Sequence, residues 1–126
     1  MRLVLKGQIR GGKNNVLMTR TGRRYPNPIF TAWVADAHRQ IVTQIGPAHC
    51  RKPIDGPGWY WDFIYTPEDN RRRDAPAVLD GLLHLFEKAG IVTDDRWVAN
   101  FHYTTMPASK ENAGIVIDYT EIKNKL

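Results

Sequence analysis

The stretch from Asp69 to Asp95, DNRRRDAPAVLDGLLHLFEKAGIVTDD, decides how this chain is organised. An arginine run ends at Asp74, a helix-like segment follows, and two further carboxylates, Asp94 and Asp95, close the stretch. A magnesium-dependent enzyme acting on a phosphodiester backbone needs carboxylates beside basic residues, because Mg²⁺ prefers carboxylate oxygens and arginine pairs with phosphate. Each piece also has a plain structural interpretation, as a cap, a helix and a turn.

The centre of the stretch predicts a helix over Ala75–Ala89, with Asp74 as its N-cap and Gly90 as its stop. Such a helix is about 22 Å long, and roughly five extended residues after Gly90 cover about 17–20 Å. Asp95 therefore either returns along the helix to Asp74 or meets Asp74 of a second subunit, and the sequence leaves both arrangements open. The apolar face of the helix consists of Val78, Leu79, Leu82, Leu83, Leu85, Phe86 and Ala89.

Outside this stretch, hydrophobic periodicity predicts one more helix and four strands. Apolar residues recur at spacings of three and four from Pro28 onward, which is typical of a helix with one buried face. The order is β-α-β-α-β-β, so we expect an α+β fold in which two helices pack on a mixed sheet. The predicted strands are Arg2–Ile9, Trp59–Thr66, Trp97–Met106 and Gly114–Ile122, and their aromatic residues are expected in the sheet core.

Length and charge narrow the range of functions. A chain of 126 residues is long enough for one compact core, so residues 1–126 are predicted to form a single domain. The formal net charge of +5 favours a polyanionic partner such as nucleic acid. The charge is also segregated, because residues 1–35 contain seven basic residues and no acidic residue.

Cysteine content and hydropathy indicate the cellular compartment in which the protein is expected. The single cysteine, Cys50, excludes an intrachain disulfide framework and a cysteine-rich zinc site, and it suits a reducing compartment. No run of apolar residues is long enough to span a bilayer, and the polar opening MRLVLKGQIRGGKNN does not resemble a signal peptide. We expect a cytoplasmic protein without membrane contact.

The motifs of the opening stretch resemble the RusA family of Holliday junction resolvases. The resemblance lies in RRRD at 71–74, the helix ending in KAG at 88–90, and the aspartate pair before an aromatic-rich strand. The segments GGKNN at 11–15 and GRRYPNPIFTAW at 22–33 resemble the family's opening loop and first helix, so the likeness covers nearly the whole chain.

This resemblance implies a RusA-like fold and a crossover-junction endodeoxyribonuclease, of a kind common in phages and prophages, that serves DNA recombination and repair. It implies a homodimer that cleaves branched DNA, above all four-way junctions, with Mg²⁺ or, as a second choice, Mn²⁺. By resemblance, Asp74 and Asp95 are the catalytic, metal-binding carboxylates.

The chain departs from the family's pattern just after Asp74. The family has Asp-x-Asp-Asn there and a lysine one turn further along the helix, whereas this chain has Pro76, Ala77 and Asp80 at those three positions. One interpretation is that Asp80 or Asp94 replaces the missing metal ligand. The alternative is a junction-binding protein of the same fold whose nuclease site is degraded. A third, weaker interpretation is a basic RNA- or ribosome-associated domain, which would not need the carboxylates.

Basic and polar residues beside these motifs are the predicted DNA contacts. Arginine can pair with phosphate through two parallel hydrogen bonds, although an arginine run is also typical of a solvated turn. On the helix, Asp80, His84, Glu87 and Lys88 equally form an ordinary exposed ladder of polar side chains. The predicted nucleic-acid contacts are Lys13, Asn14, Arg23, Arg24, Arg71, Arg72, Arg73 and Lys88.

Overall fold

The computed structural model describes residues 1–10, 16–71 and 73–122. Over these ranges the chain forms a four-stranded sheet, a two-stranded hairpin and two α-helices. Short 3₁₀ turns cover Ala48–Cys50 and Asp95–Trp97. The strands and helices are β1 (Arg2–Lys6), β2 (Val16–Met18), β3 (Arg24–Pro26), α1 (Pro28–Ile45), β4 (Trp59–Thr66), α2 (Ala75–Lys88), β5 (Asn100–Thr105) and β6 (Gly114–Glu121).

The α+β class, the mixed sheet and the two helices are confirmed, but the predicted order β-α-β-α-β-β lacks two strands. The hairpin of β2 and β3 was not predicted, because three-residue strands are too short to display an alternating pattern. The predicted strand Trp97–Met106 begins later, at Asn100, because Trp97 belongs to a 3₁₀ turn. The first strand ends at Lys6, before Gly7, whose φ of 98° suits glycine.

The sheet has the order β1-β6-β4-β5, in which β4 and β5 are parallel and β6 is antiparallel to both β1 and β4. Parallel neighbours need a crossover connection, which α2 supplies between β4 and β5. The helix therefore runs antiparallel to both strands. As a result, Asp74 lies at the end of the sheet where β4 and β5 finish, and Asp95 lies at the end where β5 begins.

The core lies between the two helices and one face of the sheet. Alternate residues of β4, namely Trp61, Phe63 and Tyr65, are buried on that face. Phe86 of α2 stacks against Trp61 with ring centroids 5.4 Å apart. Phe101 of β5 is an exception to the predicted aromatic core, because 45% of it is exposed although it shares the face of Phe63.

Two glutamines of α1 cover the outer edge of β1. The side-chain amide of Gln44 accepts from the Val4 N–H at 2.8 Å and donates to the Val4 carbonyl at 2.7 Å. One helical turn earlier, Gln40 makes the same two bonds with Lys6, at 2.8 and 3.2 Å. These two side chains occupy the hydrogen-bonding groups that a neighbouring strand would otherwise use.

Arg51 joins the C-terminal ends of the two helices. Its guanidinium donates to the carbonyl of Gly46, just beyond α1, at 2.9 Å, and to the carbonyls of Ala89 and Gly90, just beyond α2, at 2.9 and 3.3 Å. A cation at this position complements the partial negative charge of both helix ends. Arg51 thereby fixes the point at which the chain leaves α2.

None of the helices in the described ranges is both long enough and apolar enough to cross a membrane.

Candidate functional site

Three carboxylates meet where the chain leaves α2. One oxygen from each of Glu87, Asp94 and Asp95 lies within 4.8 Å of the other two. Glu87 and Asp95 are exposed and Asp94 is half-buried, so the group faces solvent at the end of the helix. We refer to these three residues as the carboxylate cluster.

The turn after α2 brings the cluster together. Gly90 adopts a φ of 71°, and a Cβ at this position would lie 3.0 Å from the Cβ of Ala48, so both the backbone and the space favour glycine. The chain then reverses, and the N–H of Ile91 donates to the carbonyl of Phe86 at 2.9 Å. Ile91 and Val92 are buried, and this anchors the turn against the last turn of the helix.

Backbone hydrogen bonds orient two members of the cluster. Glu87 Oε1 accepts from the N–H of Asp95 at 2.9 Å, and Asp94 Oδ1 accepts from the N–H of Arg96 at 2.9 Å. The second bond caps the 3₁₀ turn Asp95–Trp97. The guanidinium of Arg96 lies 3.7 Å from Asp94 Oδ2 and stacks over the ring of Trp97, so a cation already neighbours the cluster.

The donor set fits a hard divalent cation. All three side chains offer carboxylate oxygens, which are the ligands of Mg²⁺, Mn²⁺ and Ca²⁺ rather than of a thiophilic metal. Because Mg²⁺ usually keeps several waters and takes one or two carboxylates, the cluster supplies enough protein ligands for one ion. A bound cation would displace Arg96 from Asp94 Oδ2, so the two positive charges compete for this oxygen.

Asp74 lies at the opposite end of α2. It occupies the N-cap position, while Asp95 contacts Glu87 in the last turn. At 1.5 Å per residue, Asp74 and Glu87 are about 20 Å apart along the helix. Of the two arrangements that the sequence left open, the return of Asp95 to Asp74 within one chain is therefore wrong, because the turn at Gly90 holds Asp95 beside the end of the helix. The arrangement with a second subunit stays open.

Two other expectations for carboxylates also differ from the structure. Asp74 has the extended backbone of an N-cap, yet among the described residues its side chain makes no capping hydrogen bond to the first turn of α2. Asp80 lies near the middle of the helix, half-buried and outside the carboxylate cluster. In place of Asp80, the structure brings Glu87 into the cluster, although the spacing of Glu87 on the helix predicts only an exposed ladder of polar side chains.

The missed residue had a weak sequence signal. Glu87 lies in the last turn before Gly90, and the aspartate pair follows the glycine by only four residues. A chain that reverses at Gly90 instead of extending brings that pair back to the last turn. Whether the chain reverses or extends after Gly90 depends on the burial of Ile91 and Val92, which is a tertiary effect.

The arginines of the run have different environments. Arg73 is only 19% exposed, and its guanidinium lies 2.8 Å from Asp69 and 3.9 Å from Glu68, so it fastens the loop that precedes α2. Arg71 has a side chain that is 85% exposed, 3.8 Å from Asp69. Of the predicted DNA contacts, Arg72, Lys13 and Asn14 lie outside the described residues. Arg23, Arg24 and Lys88 are exposed.

The basic hairpin leads into α1, the helix that packs against α2. Arg23 and Arg24 belong to the hairpin of β2 and β3, which leads directly into the N-terminus of α1. There the ring of Phe30 lies 5.5 Å from the ring of His84 in α2. Arg23 and Arg24 are thus exposed just before α1, which itself contacts α2 through Phe30 and His84.

Asp69 makes the stability of the fold depend on pH. The Arg73 guanidinium donates a hydrogen bond to its carboxylate, the N–H of Arg71 donates another, and together they hold the pKa of this carboxyl below its ordinary value. A carboxyl with a lowered folded-state pKa stabilises the fold above its unfolded pKa, and that contribution is lost as the pH falls through the folded pKa.

We therefore expect the unfolding temperature of wild type to fall more steeply than that of Asp69→Asn below about pH 4. Circular dichroism melts of both proteins between about pH 5 and about pH 2.5 would measure the difference. Parallel pH curves for the two proteins would contradict the role of Asp69.

No protein-family model matches this chain, and a search of curated proteins finds no match either. The resemblance to the RusA family therefore stays a prediction that rests on the motif residues.

Proposed function

We propose that this protein is a Mg²⁺-dependent, structure-selective endonuclease that cuts four-way DNA junctions as a homodimer, in the manner of a RusA-like resolvase. The observation that carries the proposal is the convergence of Glu87, Asp94 and Asp95 at the end of α2. Solvent-exposed arginines and the net charge of +5 supply the attraction for DNA.

The carboxylate cluster would hold the ion beside the scissile phosphate. When bound, Mg²⁺ polarises the phosphoryl oxygens and lowers the pKa of a coordinated water. Glu87 and Asp94 are held in place by their bonds to the N–H groups of Asp95 and Arg96, which reduces the reorganisation needed on binding. Arg96, once released from Asp94, would be free to pair with a phosphate oxygen.

A second subunit would bring Asp74 into the site. Two copies of α2 that run antiparallel across a two-fold axis would bring each Asp74 to the partner's carboxylate cluster, which one chain keeps about 20 Å away. The dimer would then carry two equivalent sites. A four-way junction is itself close to two-fold symmetric, so two such sites suit its two equivalent strands.

The second candidate is a junction-binding protein that does not cut. It is favoured by Pro76, Ala77 and Asp80, which stand where the family has an aspartate, an asparagine and a lysine. It is also favoured by the proximity of Arg96 to Asp94, because this cation opposes metal binding. Both candidates share the fold and the DNA partner and differ only in chemistry.

One assay separates the two candidates. A labelled four-way junction and its linear duplex are incubated with the protein, with and without Mg²⁺ or Mn²⁺. We expect cleavage of the junction alone, dependent on the metal, and stronger with Mn²⁺ because a site that departs from the family's ligand set should hold Mg²⁺ loosely. Binding without cleavage at any divalent concentration would establish the junction-binding protein instead.

The affinity for junction DNA should fall steeply with salt. Each phosphate contact contributes a slope of about −0.9 to the plot of log affinity against log salt concentration. Arg71→Gln should reduce this slope by about one contact, since its side chain faces solvent in the loop just before Asp74. Arg39→Gln is a matched control, because Arg39 is similarly exposed and also lies near an aspartate, Asp36, but is not among the predicted DNA contacts. A salt-independent affinity would contradict backbone recognition.

A further inference from the structure

In the described residues, side chains cover the hydrogen-bonding groups at one edge of the sheet, and the other edge is open. The edge at β1 is covered by Gln40 and Gln44, whose amides bond the free N–H and carbonyl groups of the strand. At the other edge, the sheet ends with β5, and no strand in the described ranges lies beyond it. An uncovered edge is a template for another strand.

The sequence of β5 favours pairing. The strand reads NFHYTT, and aromatic and β-branched residues are those with the highest preference for sheets. Natural edge strands usually block association with lysine, proline or a bulge, and β5 has none of these along its continuous register with β4. Most of its residues are exposed.

The free hydrogen-bonding groups of β5 belong to alternate residues. Met106, just after the strand, donates its N–H to the Tyr65 carbonyl of β4 at 2.7 Å. Because backbone groups alternate in direction along a strand, the N–H and carbonyl groups of Phe101, Tyr103 and Thr105 point away from β4. Three consecutive outward positions are enough for a short ladder.

Phe101 provides exposed apolar surface at this edge, on the helix-covered face of the sheet. Phe101 lies edge-on to Phe63 with centroids 6.0 Å apart, yet 45% of it remains exposed. Leu79 and Leu83 of α2 are only partly buried where they pack against the core. A surface of this kind beside an open strand edge is typical of a protein interface.

We propose that β5 pairs antiparallel with β5 of a second copy of this chain, forming one continuous eight-stranded sheet, with Tyr103 at the two-fold axis and Phe101 opposite the partner's Thr105. This register uses all three outward positions of each strand. A second copy suits the edge because β5 carries no lysine, arginine or acidic residue, so self-pairing opposes no like charges between permanently ionised groups.

This pairing also reverses the direction of α2 in the partner. The carboxylate cluster of one protomer, which precedes β5, comes to the same end of the joined sheet as the partner's Asp74, which follows β4. The edge pairing thus supplies the dimer that the proposed function requires. The benefit to the metal site rests on the proposed function, whereas the pairing itself does not.

Sedimentation without DNA or metal tests the interface. Phe101→Lys should raise the dimer dissociation constant by about tenfold or more, because the pairing would bury its charge. The matched control is Tyr60→Lys: Tyr60 is an aromatic residue with 41% exposure on the neighbouring strand, opposite Asn100, but it faces the other side of the sheet. Tyr60→Lys should sediment like the wild-type dimer.

Two further variants distinguish loss of the interface from misfolding of the chain. Thr105→Pro removes an outward N–H without removing a bond to β4, and it should also dissociate the dimer. Adding Thr105→Glu to Phe101→Lys places opposite charges face to face in the proposed register and should restore the dimer. Wild type that is monomeric at micromolar concentration, or folded Phe101→Lys and Thr105→Pro proteins that remain dimeric, would overturn the pairing.

These results are independent of the proposed function. A wild-type protein that dimerises through β5 but never cuts a junction would refute the endonuclease and leave the interface intact. A protein that cuts junctions while its β5 variants stay dimeric would refute the β5 pairing and leave the endonuclease intact. If Tyr60→Lys is the variant that dissociates, the interface lies on the other face of the sheet and the pairing is wrong.

Discussion

Asp95→Asn should lower the rate of junction cleavage by about a hundredfold or more, while the protein still binds the junction. The substitution keeps the size of the side chain but removes the negative charge that would hold a divalent cation in the carboxylate cluster. The N–H of Asp95 and its bond to Glu87 are retained, so the turn after α2 should keep its shape. Binding should be equal or tighter, because a charge that repels phosphate is gone.

Single-turnover cleavage of a labelled four-way junction, with enzyme in excess, separates chemistry from binding and product release. Asp118→Asn is the matched control, since Asp118 is a half-buried carboxylate on β6 that pairs with Arg2 on β1 at 3.0 Å and is not part of the cluster. Its cleavage rate should equal that of wild type. Unchanged cleavage by Asp95→Asn would exclude this aspartate from the metal site.

The long elements of the fold were predictable because their patterns are local. Trp59–Thr66 was predicted with the bounds that it has, since alternating burial over eight residues leaves little ambiguity. The helix from Ala75 ends one residue earlier than predicted. The hairpin of β2 and β3 could not be predicted, because strands of three residues contain too little periodicity.

The candidate site was only partly predictable because it depends on where the chain turns. The aspartate pair was identified by its place after the helix, and the structure keeps Asp94 and Asp95 together. Their distance from Asp74 was not predictable, since an extended connection and a reversed one have the same sequence length. The choice is made by the burial of Ile91 and Val92 and by Arg51, whose bonds to carbonyls far along the chain no local pattern indicates.

The separation of Asp74 from the carboxylate cluster leads to a prediction with an all-or-none outcome. Asp74→Asn and Asp95→Asn should each be inactive as homodimers. If each site combines Asp74 of one subunit with Asp95 of the other, a mixed dimer of the two variants has one complete site and one site lacking both groups. Random exchange makes about half of the dimers mixed, so an equimolar mixture should recover about a quarter of wild-type nicking.

The measurement is nicking of one labelled junction strand after the variants have been mixed and allowed to exchange subunits, because a dimer with one site can make only one cut. The matched control mixes Asp74→Asn with the double variant Asp74→Asn, Asp95→Asn, which cannot form a complete site under either arrangement and should stay inactive. Activity in the first mixture alone would place the two aspartates in one site across the dimer. If neither mixture cuts although wild type does, each chain must complete its own site, and Asp74 acts without the partner's cluster. The geometry favours the shared site, because α2 holds the two aspartates at its opposite ends and only an antiparallel second copy reverses one end against the other.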